Sequence, residues 1–183
     1  MTQDQRYVAF GAQMTDSLLE VSDFKDPLAV ECTFDEVSHC FFDLQYSKGI
    51  CLGLRSFTSD SSNNNRSLYA AEQMNLRFTS RETAAAYMEK ESVRIAPLGE
   101  PFLLIQAPDV LPSCDIIVTA ARLEPFIEQK KSLSFYCSIQ DNIHIIRLAL
   151  YFFVEGDELP VRTIKDVLHT AVRKSRSSRR LGL

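Results

Sequence analysis

Alternation of apolar and polar side chains is the dominant pattern along this chain, and it predicts strands more often than helices. Val30, Cys32 and Phe34 alternate with polar neighbours, and so do Cys40, Phe42, Leu44 and Tyr46. Ser47-Lys48-Gly49 then makes a tight connection in which Gly49 is able to take positive φ, and Ile50, Leu52 and Leu54 restart the alternation. A hairpin over residues 40–55 is expected. Further upstream, residues 7–10 read as a short strand and residues 15–24 as a helix or a loop. Residues 58–67 carry no apolar side chain and have the composition of a surface connection.

Residues 68–78 are expected to be extended. Thr79 and Ser80 precede an alanine-rich segment and offer hydroxyls to cap a helix start. Ala84, Tyr87, Met88 and Glu91 fall on neighbouring faces of that helix. The chain is expected to return as a strand over 93–96, turn at 97–101 through Gly99-Glu100-Pro101, and continue as strands over 102–106 and 115–121. Leu133, Phe135, Cys137 and Ile139 face one way, Asp141-Asn142 is a turn, and residues 143–154 form a long strand. Pro160 suits a first helical turn, after which Val161, Ile164, Leu168 and Ala171 mark one face. The fold class expected is α+β, mainly antiparallel β-sheet with two or three helices.

Composition narrows this picture. A chain of 183 residues with 45% hydrophobic side chains is most simply one core. Residues 1–172 are read as a single α+β domain and 173–183 as a basic C-terminal tail. Arg173, Lys174, Arg176, Arg179 and Arg180 give that tail five positive charges; with a net charge of −4 overall, the remainder carries about −9. These five residues are the candidates for contact with phosphate or with an import receptor. No run reaches the roughly 20 apolar residues of a spanning helix, and no signal-type apolar region follows the N-terminus, so an intracellular protein without membrane contact is expected. Cys32, Cys40, Cys51, Cys114 and Cys137 are odd in number and lack CxxC spacing, which fits buried thiols in a reducing compartment.

Catalytic signatures are not found. The sequence holds no phosphate-binding loop, dinucleotide glycine pattern or nucleophile elbow. His39, His144 and His169 are widely separated, and Glu155, Asp157 and Glu158 lack the alternation of a calcium loop. No catalytic residue, cofactor or metal ligand is assigned. An enzyme using Cys40 or Cys51 as nucleophile remains an alternative, although both lie in hydrophobic strands where a thiol is inert.

Residues 75–123 resemble the closing part of a DNA sliding-clamp domain, nearest to a subunit of the heterotrimeric nine-one-one checkpoint clamp. Phe78, Arg81, Glu82, Tyr87, Glu89 and Ile95 carry the likeness, with Gly99-Glu100-Pro101-Phe102-Leu103-Leu104 and Ile117-Val118-Thr119-Ala120. The resemblance implies a clamp-like sheet and a non-catalytic subunit in nuclear DNA-damage checkpoint signalling and repair. It would assemble as a hetero-oligomer through its sheet edges or C-terminal helix, with DNA as a further contact. Arg81 and Lys90 stand against Glu82, Glu89 and Glu91 on the helix, so this face points to subunit assembly rather than to phosphates. The alternative is a general protein-interaction or chaperone-like α+β module unrelated to DNA.

Overall fold

The computed structural model describes residues 17–25, 28–34, 49–59, 68–101, 114–127, 130–155 and 159–181. The strands expected over 7–10, 40–46 and 102–106, and most of the polar loop at 58–67, lie outside the described residues. The fold is α+β. Its sheet is built from β1 (Ala29–Phe34), β2 (Gly49–Thr58), β3 (Leu68–Phe78), β4 (Glu100–Pro101), β5 (Ile116–Ile127), β6 (Lys130–Asp141) and β7 (His144–Glu155). The spatial order is β1-β2-β3-β7-β6-β5-β4, and every neighbouring pair is antiparallel. Two meanders, β1 to β3 and β4 to β7, are therefore joined where β3 pairs with β7.

Helix α1 (Arg81–Ile95) carries the chain from the central β3 towards β4 at the far edge. Its start follows from Ser80: the Ser80 hydroxyl accepts from the Thr83 amide at 3.2 Å, and the Thr83 hydroxyl accepts from the Ser80 amide at 3.0 Å. Two amides that the first turn would leave unpaired are thereby satisfied. Ala84, Tyr87, Met88, Glu91 and Ile95 form the buried stripe, so the helix continues through 93–95 where a strand was expected. The spacing of Glu91 and Ile95, four apart, extends the same face by one turn. Pro97 then ends the helix, and Ala96–Leu98 makes a 3-10 turn. Gly99 follows in extended conformation, and only glycine fits there because a Cβ would collide with the Ala121 carbonyl of β5.

The strand alternation sends side chains to two faces. On one, Leu133, Phe135, Cys137 and Ile139 of β6 and Ile146, Leu148, Leu150, Phe152 and Val154 of β7 form the larger core. Helix α2 (Val161–Leu181) seals this face with Ile164, Val167, Leu168, Ala171 and Val172. Each buried Val, Leu, Ile or Phe among them contributes on the order of 1.5–3 kcal/mol by leaving water. Residues 17–25, with Leu19 and Phe24, and the separate Leu28 cover the same face nearer β2 and β3, and Val21–Asp23 is a 3-10 turn. Buried Gln73 and Asn75 hold it: the Leu19 amide donates to Gln73 Oε1 at 2.7 Å, and Asn75 Nδ2 donates to Ser17 Oγ at 2.9 Å. On the opposite face, Cys51, Leu76, Phe78 and Ile145 pack under Ala84, Tyr87 and Met88 of α1.

The C-terminal region departs from expectation. Residues 173–181 are the last turns of α2 and not a separate tail, because the buried stripe continues through Ala171, Val172 and Ser175. β5 also runs further than the expected 115–121, pairing with β6 as far as Ile127.

Candidate functional site

The basic cluster at the end of α2 is largely occupied by the fold itself. Arg176 Nε donates to Asp141 Oδ2 at 2.9 Å, Arg176 Nη2 to Asp141 Oδ1 at 3.0 Å, and Arg179 Nη2 to Asp141 Oδ2 at 2.8 Å. Burial alone would raise the Asp141 carboxyl, but these two guanidinium groups outweigh it and hold it below the ordinary range. Lys174 pairs with Asp23 at 2.6 Å and Glu20 at 3.1 Å, tying α2 to the 3-10 turn. Arg173 and Arg180 alone of the five are exposed without an ion pair among the described residues.

Among the described residues the thiols and imidazoles are not gathered into a reactive group. Cys51 lies in the apolar cluster beneath α1, and burial pushes the Cys137 thiol far above its usual range. Cys114 is raised by burial too, while Cys40 is outside the described residues. His144 is held down to about 4, first by burial and then by Arg179 and Arg77. Among the described residues no cluster of metal-ligating side chains is present, and no helix is long and apolar enough to cross a membrane.

A different surface stands out. Helix α1 covers only one end of its sheet face. Beyond it, Tyr69 of β3, Tyr151 and Phe153 of β7, Tyr136 of β6 and Phe126 of β5 lie on the part that no described element covers. Their rings form a connected series. Tyr69 stacks on Phe153 with centroids 4.2 Å apart, Phe126 meets Phe153 at 4.9 Å, and Tyr151 meets Tyr69 at 6.2 Å and Tyr136 at 6.1 Å. Phe126 is 52% exposed, and the tyrosines are half-buried. Strand pairing puts Tyr136 and Tyr151 on one face of neighbouring strands, while Tyr69 and Phe126 sit at the register shifts of β3 and β5, where a bulge re-aims a side chain.

Between these rings and α1 lies a cleft of about 230 Å³, lined by Glu72, Glu91, Arg94, Tyr136, Arg147 and Tyr151 among others. Ala149 sits directly opposite Glu72 on one side and Tyr136 on the other, so its methyl forms a low floor between taller walls. Glu91, 2% exposed, anchors the helical wall. It accepts from Arg147 Nε at 2.9 Å and from the Ser138 hydroxyl at 3.3 Å, with Arg94 3.9 Å away. A buried carboxylate is tolerable only with such compensation.

Sequence reasoning grouped Glu91 with Ala84, Tyr87 and Met88 on neighbouring helical faces but gave it no role at a site; an acid grouped with those side chains was the available signal. The aromatic series had a signal too. Tyr151-Phe152-Phe153 puts large rings on both faces of β7, which one buried core does not require. No protein-family model matches the chain, and neither a curated protein nor a solved structure matches it.

Proposed function

We propose that this protein is a protein-interaction subunit whose recognition surface is the sheet face, uncovered among the described residues, formed by Phe126, Phe153, Tyr69, Tyr151 and Tyr136. The observation that carries this reading is the connected, half-exposed ring series beside α1. Aromatic side chains supply large contact area with few rotatable bonds, and they are concentrated at the energetic centres of protein interfaces. The surrounding charge favours a protein partner over nucleic acid. Arg122 pairs with Glu124 at 2.6 Å and Lys130 with Glu155 at 4.0 Å, so the rim offers no excess of cations to phosphates.

Affinity capture with surface variants tests this reading. Tyr69→Ser with Phe126→Ser is expected to lose the bound partner, while Arg173→Glu with Arg180→Glu keeps it. The reverse pattern would move recognition to the end of α2.

A more specific version makes the protein a non-catalytic subunit of a checkpoint-clamp-like complex in the nucleus. The position of α1 across β3, β5 and β6 supports it, because the resemblance over 75–123 requires a helix lying on a sheet. Arg94 belongs to the helix as built, so its formal charge balances, and the support is for assembly and not for direct DNA contact. Co-purification with other clamp subunits is the expected result; their absence from the purified complex overturns this version.

A further inference from the structure

We propose that the cleft above Ala149 receives an arginine side chain of the partner that docks on the open sheet face. The proposal rests on the reading of that face as a recognition surface and names the chemistry at its deepest point.

Size is the first argument. A volume of about 230 Å³ lies below the roughly 300–1,000 Å³ of small-molecule sites and is ample for one long side chain. Charge is the second. Arg147 and Arg94 are turned to Glu91, at 2.9 and 3.9 Å, so they offer little to an anion. Arg122 and Lys130 on the rim are likewise paired with acids. Glu72 is the exception: it is exposed, lines the cleft, and has no ion pair among the described residues. Its charge is felt inside the site, since the Tyr151 phenol is held above its usual range by burial, by its hydrogen bond with Tyr136, and also by Glu72.

Ring geometry is the third argument. Tyr136 and Tyr151 stand at 89° with centroids 6.1 Å apart, making a corner beside the carboxylate. A cation held against tyrosine faces gains from their negative quadrupoles. Guanidinium fits this corner better than ammonium because it is planar, stacks on a ring, and forks onto a carboxylate through two parallel hydrogen bonds. With Glu72 and Tyr136 flanking Ala149 in one row across the strands, the ring face and the carboxylate are placed for the same group.

The test uses the full chain with its alanine methyl groups isotopically labelled, titrated with capped Ala-Arg-Ala and followed at Ala149. A saturable shift of the Ala149 methyl is expected, weakened at least tenfold by Glu72→Gln and by replacing arginine with neutral citrulline. Capped Ala-Lys-Ala is expected to bind several-fold more weakly. An unmoved Ala149 methyl, equal binding of citrulline, or indifference to Glu72→Gln would overturn the proposal; equal binding of lysine would overturn the assignment to arginine. If partner capture depends on Tyr69 and Phe126 while the arginine peptide leaves Ala149 unmoved, the cleft assignment falls and the recognition face stands. If capture is also indifferent to Tyr69 and Phe126, both fall.

Discussion

Asp141, the last residue of β6, and Arg179, two residues from the end of α2, are joined by a 2.8 Å ion pair. Arg176 grips the same carboxylate, so one acid at a hairpin end fixes the final turns of the terminal helix. The Asp141 side chain is 12% exposed, which limits solvent screening. Asp141→Ala is expected to destabilise the fold by about 2–4 kcal/mol, because two guanidinium groups lose their partner together. Urea unfolding checks this, and hydrogen exchange should show the loss concentrated in the last turns of α2.

Glu91 and Arg147 form a second cross-element pair, between α1 and β7. Arg147→Met should cost about 3 kcal/mol, since it strands a carboxylate that is 2% exposed. Glu91→Gln combined with Arg147→Met should be less damaging than the sum of the single changes. A double-mutant cycle by chemical denaturation measures that coupling.

Mild acid is expected to weaken the protein through His144. Its folded value of about 4 lies below the ordinary 6.5, so the unfolded chain binds the proton first as pH falls. Stability therefore drops as pH is lowered from about 6.5 to about 4, by up to about 3 kcal/mol, and this contribution then levels off. Asp141 acts in a lower window: its depressed carboxyl contributes above the ordinary carboxylate value, and that contribution is lost as pH falls through the folded value. Thermal unfolding across this range should show the first loss, and His144→Gln should flatten it.

Gly99→Ala is expected to destabilise by about 1–3 kcal/mol through forced backbone movement. The added methyl would meet the Ala121 carbonyl, a backbone atom that cannot rotate away. Thermal denaturation checks the cost, and the disturbance should centre on β4 and β5.

Much of the sheet was legible because a half-buried strand imposes a period of two on its side chains. Leu133, Phe135, Cys137 and Ile139 all reach the core as their alternation implies, and Ser80 caps α1 as its position before the alanine-rich run implies. Two boundaries were not legible. Val93-Arg94-Ile95 reads as a strand locally, but the i to i+4 continuation from Glu91 to Ile95 keeps it helical. The basic run at 173–180 reads as a tail, yet Ser175 is buried and Arg176 meets Asp141 of β6 only once the chain has folded back on itself. The aromatic face was hidden for a similar reason. Tyr69, Phe126, Tyr136 and Phe153 are far apart in sequence, and strand pairing across four strands brings them together.

The central claim is that this face, and not the end of α2, meets the partner. Hydroxyl-radical footprinting of the protein alone and in its purified complex tests this most directly. The account predicts that Tyr69, Phe126, Tyr136 and Tyr151 lose most of their reactivity in the complex while Phe78 and Phe57, already buried, are unchanged. Undiminished reactivity of those four rings, with protection confined to residues around Arg173 and Arg180, would contradict it.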